Sequence, residues 1–430
     1  MTLSWMSIIR LGLIQMALGA IVVLTTSTLN RLMVVELALP AVLPGLLVAL
    51  HYGIQITRPN WGYRSDTGNS RTRWIIIGMA ALALGGLLAA YGVVLLKTAF
   101  TAGLILSIIA YALIGLGVGA SGTSLLALLA TGTAPTRRAA AATITWLMMI
   151  AGIAITAGTV GAFLDPYTPQ LLMKIVAIVT GAAFLMTCLA VAGIEKRTTF
   201  AIRDTDPTPF LVGLREVWAE PAARLFTIFV FLSMTAYFMQ ELILEPYAGF
   251  VFNFTPGQST SLSGAQNGGV FVGMLTVGIA ASGLKIGKLR TWVISGCVLS
   301  AIALITIATL GQLGLAQLFT PAVVFLGFSN GMFAVAAIGS MMQLAGQGRR
   351  AREGTRMGLW GAAQAIAAGF GGLLGAALVD LMRIATNDAL AFGAVFSFEA
   401  ALFIAAAVMA GAILNKGQTA MPNAQLVPGE

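Results

Sequence analysis

Six polar side chains interrupt stretches that are otherwise apolar: Gln15, His51, Gln55, Asn330, Gln364 and Glu399. A polar group inside hydrocarbon is costly, so each is a site candidate by default. His51 is the only histidine in 430 residues. A neutral imidazole can relay a proton, bind a metal or serve as a structural hydrogen-bonding group. One histidine cannot build a zinc site, which takes three or four ligands. It can supply one axial ligand to a metal already held in a macrocycle, as with haem iron or the Mg of a chlorin. Gln55, four residues on, shares its helical face. Glu399 has three readings: a protonatable coupling group, a polar contact to a ligand, or a satisfied interhelical hydrogen bond.

Other signals are weaker. Glu241, Glu245, Asp380 and Arg383 fall near the ends of apolar runs and read as solvated rim groups. Gly115/Gly119 and Gly371/Gly375 form small-residue faces suited to close helix packing. No GxxxxGK[ST] phosphate loop is present. A nucleophile–His–acid set has only one histidine to draw on. Asp204 and Asp206, near Glu195, are the nearest approach to a Mg²⁺-holding acidic cluster, and no second cluster faces them. The residues weigh against catalysis. Cys188 and Cys297 lie inside apolar runs and imply no disulfide framework.

The elements that must position these residues follow from composition. Charged residues are 9% of the chain, hydrophobic residues 58%, and the mean hydropathy is +0.92. So few charges cannot cover a soluble globule. The long apolar runs favour helices over an alternating barrel. Runs near 8–29, 40–57, 74–96, 99–121, 140–163, 170–194, 222–245, 264–284, 291–311, 315–343, 356–380 and 390–414 predict an all-α membrane protein with twelve spans.

The net charge of +9 reports topology rather than nucleic acid or another acidic partner. Of the 24 basic residues, all but Arg31, Lys97, Lys174 and Arg383 fall on one side of this twelve-span arrangement. That side is the cytoplasm, and it holds both termini. The seven tryptophans fall at the same span ends and read as interface anchors. The chain divides into a six-helix half at 1–197, a cytoplasmic linker at 198–221, a second half at 222–414 and a tail at 415–430. Thr208 and Pro209 start a short amphipathic linker helix with Phe210, Leu211, Leu214, Val217 and Trp218 on one face. Arg137-Arg138 before Trp146 repeats as Arg349, Arg350 and Arg352 before Trp360. Matched halves around a long linker are the layout of the major facilitator fold.

Several stretches carry a more specific resemblance: RLGLIQMALGA at 10–20, LNR at 29–31, VVEL at 34–37, LVALHY at 47–52, YRSDT at 63–67 and GLWGAAQ at 358–364. Across twelve spans they resemble the PucC/LhaA family, the phototrophic branch of the major facilitator superfamily. The loop Gly62, Arg64, Asp66, Gly68, Arg71 resembles the superfamily's conformational latch between spans two and three. Its Asp-to-Gly spacing is one residue short, and Thr67 stands where a basic residue is usual. That departure argues against vigorous alternating access.

The resemblance implies a bacterial inner, intracytoplasmic photosynthetic membrane protein that handles bacteriochlorophyll or a precursor. It would pass the pigment to light-harvesting or reaction-centre assembly. His51, Gln55, Gln15, Gln364 and Glu399 become pigment-binding candidates, with His51 near the Mg. The implied partners are lipid, pigment, a bacteriochlorophyll synthase, and antenna or reaction-centre polypeptides. No covalent cofactor is implied. Position 47 is Leu, so the Ala-x-x-x-His pattern of antenna peptides is not copied. Two alternatives stay open. One is a secondary transporter of a small solute, proton-coupled through Glu399 or His51. The other is a non-catalytic subunit of a bacteriochlorophyll synthase.

Overall fold

The computed structural model describes residues 3–58, 61, 70–134, 137–195, 210–284, 286–347 and 353–419, and the elements among them are helices. The first half holds α1 (Trp5–Glu36), α2 (Val42–Thr57), α3 (Arg71–Leu96), α4 (Phe100–Gly132), α5 (Arg138–Phe163) and α6 (Pro169–Val191). A short α7 (Phe210–Ala219) precedes the second half. That half holds α8 (Pro221–Phe252), α9 (Pro256–Val277), α10 (Leu289–Leu313), α11 (Ala316–Gln347), α12 (Glu353–Arg383) and α13 (Asp388–Thr419).

Local chemistry sets several helix starts. Thr168 accepts the N–H of Leu171, and Pro169 opens α6 where its missing N–H costs nothing. Thr255 and Gln258 form a reciprocal capping box at α9. At α3, Ser70 accepts the N–H of Arg73. Glu195, just beyond α6, accepts the N–H groups of Arg71 and Thr72 at 2.8 and 3.0 Å and the Ser70 hydroxyl at 2.8 Å. A carboxylate suits the positive end of a helix. Partial burial opposes its ionisation, but these donors outweigh burial and hold Glu195 below the ordinary carboxyl range. Glu195 is thus a tie between α6 and α3.

Ten of the helices are long and apolar enough to cross a membrane. The two runs that fall short have physical reasons. α2 is a shorter apolar helix, because the chain turns through Ala38 (φ 51°) and Pro40 before it starts. α9 starts at Pro256, eight residues before the expected run, and its first half carries Gln258, Ser259, Thr260, Ser261, Ser263 and Gln266.

Two hydrophobic cores match the two halves. One draws on Leu3 through Ile194 plus Leu242, the other on Val217 through Ile413. Two small clusters bridge them: Val34 and Ala41 with Ala376, and Ile150 with Val270 and Met274. Across this seam α2 packs on α12 and α5 on α9. Glycines bring the second pair to backbone contact. A Cβ on Gly161 would fall 2.4 Å from the Ser261 nitrogen, and one on Gly264 2.5 Å from the Gly158 nitrogen. The anticipated small-residue faces also pack closely. Gly115 lies against the His51 carbonyl, and Gly371 and Gly375 lie against the carbonyls of Thr235 and Met239.

Candidate functional site

Among the described residues, a dense buried polar cluster lies where α1 of the first half meets α8 and α9 of the second. α1 widens into π-turns over Leu24–Thr28 and Leu32–Glu36, a departure often found at functional sites. Thr25, Thr26, Ser27, Thr28, Asn30 and Arg31 are all buried there. Buried polar groups need partners, and these find several across the seam. Asn30 Nδ2 donates to the Leu242 carbonyl at 2.7 Å. Thr28 and Thr260 hydroxyls meet at 3.3 Å. Ser27 donates to Glu245. Arg31 pairs with Glu36 and donates to the Phe254 carbonyl at 2.6 Å.

Two further ties lie at this same end of the bundle, here called the far end. Asp165 accepts the Thr255 hydroxyl and the Gly257 N–H, the latter at 3.0 Å. Asp380 accepts the N–H groups of Ala41 and Val42 at 3.0 and 2.8 Å, capping α2 from the other half. Glu245 is 3% exposed. Glu245 is therefore not a solvated rim group, and Asp380, though partly exposed, is tied to a helix of the opposite half. Arg383 is part-buried, pairing with Asp388 at 2.7 Å over the face of Phe250.

One turn toward the middle, Glu241 is half-buried and accepts a hydrogen bond from Thr26. The Tyr52 and Tyr237 phenols are its titratable neighbours. Tyr52 lies edge-on to Phe238 of α8, with ring centroids 5.9 Å apart. This part of the seam mixes aromatic surface with a few convergent polar groups, the usual make-up of a small-molecule site.

His51 is buried, edge-on to Tyr52 at 4.7 Å. Its Nε2 lies 3.0 Å from Gln55 Nε2, while Gln55 Oε1 accepts from Arg58. Arg58 thereby fixes the amide, so Gln55 donates and His51 Nε2 accepts. The ring proton falls on Nδ1, which is buried without a partner among the described residues. The Nε2 lone pair reaches a metal only if Gln55 turns away.

The remaining candidates stand apart from one another. Gln15 on α1 contacts the Met149 sulfur at 3.4 Å, and its Oε1 has no partner among the described residues. Gln364 is half-buried on α12. Asn330 accepts the Ser300 hydroxyl at 2.8 Å inside the second half. Glu399 on α13 is fully buried, and neither carboxyl oxygen has a hydrogen-bond partner among the described residues. In the latch loop, Gly62, Arg64, Asp66 and Gly68 lie outside the described residues, as do Asp204 and Asp206, while Arg71 opens α3. Trp360 is a core residue and not an interface anchor. It is 1% exposed, edge-on to Phe226, with its N–H toward the Ala223 carbonyl at 3.5 Å.

The family model of the PUCC protein matches residues 28–418. The "Bacteriochlorophyll synthase 44.5 kDa chain" of Rhodobacter capsulatus is 67% identical over 98% of this chain and 99% of its own. Protein PucC of Rhodovulum sulfidophilum is 27% identical over 88% and 86% of the two chains. Among solved structures, the nucleoside transporter NupG superposes with a TM-score of 0.67 at 15% identity, covering 95% of this chain and 99% of that one. That likeness establishes a major-facilitator-type fold.

Proposed function

The chain belongs to the PUCC protein family, and we propose that it binds bacteriochlorophyll or a precursor and hands it to photosynthetic complex assembly. The observation that carries this reading is the full-length 67% identity to a protein named for bacteriochlorophyll synthesis. In this reading every helix but α7 crosses a phototroph's inner membrane, the two that fall short of the length and hydropathy of the other ten, α2 and α9, included. Both termini are cytoplasmic, in line with the uneven distribution of the 24 basic residues. The far end of the bundle then faces the periplasm.

Pigment is cargo here, and the seam between the halves is where it docks. Aromatic faces of α2 and α8 stack on the macrocycle, and Tyr52 and Tyr237 offer hydroxyls to its ring carbonyls. His51 takes the Mg as an axial ligand once Gln55 releases Nε2. Gln15, Gln364 and Glu399 are further polar contacts along the two halves. The isoprenoid tail lies along apolar helix faces. The partners are a bacteriochlorophyll synthase, which performs the chemistry, and antenna or reaction-centre helices, which receive the product.

A deletion strain tests this against its rivals. Normal pigment chemistry with missing complexes is expected. Accumulated unesterified pigment would instead make the chain a subunit needed for synthesis. Normal complexes and pigments would remove the assembly role and leave transport of some other solute.

A further inference from the structure

The α1–α8 seam holds two carboxyls that the pigment reading does not use. Glu241 and Glu245 are four residues apart, on one face of α8. Each meets a hydroxyl on α1: Thr26 for Glu241 and Ser27 for Glu245. The second oxygen of Glu245 has no hydrogen-bond partner among the described residues, although its residue is 3% exposed. We propose that Glu241 and Glu245 form a proton-binding site whose occupancy holds the two halves closed at the far end.

From α1, Arg31 is the charged neighbour of Glu245, but its guanidinium is already committed to Glu36 and the Phe254 carbonyl. From α9, the group facing Glu245 is the Ser263 hydroxyl, which brings no charge. From α2 comes the Tyr52 phenol, and from α8 itself the Tyr237 phenol, both toward Glu241. Two carboxylates one turn apart repel, and a buried carboxylate without a committed counter-ion is costly. A proton removes both penalties. It also turns the unpartnered oxygen into a donor aimed at the seam. When the halves part, water solvates the carboxylates and the proton leaves. The closed state therefore binds the proton more tightly than the open one, and protonation shifts the population toward closure. Closure is present at low pH and is lost as pH rises through the titration of the pair.

Distance measurement between the halves tests this directly. Spin labels go on Lys97→Cys, at the exposed far end of α3, and Leu313→Cys, at the exposed far end of α10. Cys188→Ser and Cys297→Ala remove the native thiols. The full chain is reconstituted in lipid nanodiscs at about pH 5.5 and about pH 8.5. The longer-distance fraction is expected to grow roughly three-fold or more at the higher pH. With Glu245→Gln the short distance should persist at both pH values. Glu241→Gln, at a half-exposed and more tolerant position, removes the like-charge repulsion and should move the opening transition to higher pH. A pH-invariant distance in the wild type overturns the proposal. So does a Glu245→Gln protein that opens like the wild type, or an unmoved transition in Glu241→Gln.

Discussion

Replacing Asp380 tests how much the cross-half ties contribute. Its two carboxyl oxygens accept the N–H groups of Ala41 and Val42, the first donors of α2. Ala41 is 3% exposed, so water is a poor substitute there. Loss of a helix cap costs about 1 kcal/mol. Loss of a negative charge at a helix N-terminus costs roughly 0.5 kcal/mol more. Stranding a buried N–H adds to both, which places Asp380→Ala at about 2 kcal/mol. Asp380→Asn keeps one neutral acceptor and should lose roughly half as much. The matched control is Asp388→Ala, which removes a partly exposed pair with Arg383 and should cost under about 1 kcal/mol. The assay is SDS unfolding from dodecylmaltoside micelles, followed by tryptophan fluorescence. If Asp380→Ala is no less stable than Asp388→Ala, the reasoning is refuted.

Other outcomes follow from the same geometry. Glu195→Gln should destabilise α3 by about 1 kcal/mol near neutral pH, a modest figure because the carboxyl is largely solvent-screened. Its folded pKa is depressed, so the stabilisation is present above the unfolded carboxyl's pKa and lost as pH falls through the folded value. Unfolding midpoints of wild type and Glu195→Gln should therefore converge in acid, and a gap that widens there would contradict the tie. Gly264→Ala drives a methyl into the Gly158 backbone and should cost about 1–3 kcal/mol in the same SDS assay, whereas Gly268→Ala, with open space around it, should be neutral. Gln55→Ala frees His51 Nε2 and should raise pigment retention in purified protein, while His51→Ala should lower it. Equal retention in both would remove His51 as the Mg ligand.

Much of the fold was legible because hydrocarbon imposes simple demands. Apolar runs and the small-residue faces at Gly115, Gly371 and Gly375 correspond to packed helices. The site was less legible. Glu245 and Asp380 look like rim groups in sequence, since nothing near them reveals that each is hydrogen-bonded to a helix of the other half. The run Thr25–Thr28, followed by Asn30 and Arg31, did carry a signal. Hydroxyls in helices often satisfy themselves locally, as Thr25 does with the Val22 carbonyl at 2.7 Å, so a threonine run attracts less attention than a lone histidine. Trp360 misled for a related reason. Its place at a span end suggested the interface, while Phe226 and the Ala223 carbonyl hold it in the core.

Carriage of a Mg-tetrapyrrole is the function proposed for this chain. It is tested most directly by purifying the protein from phototrophic membranes in mild detergent and measuring pigment absorbance per protein. A fixed stoichiometry near one pigment per chain is expected, reduced in His51→Ala. Pigment at background level in wild-type protein that remains folded, with the same result after reconstitution with added bacteriochlorophyll, would contradict it.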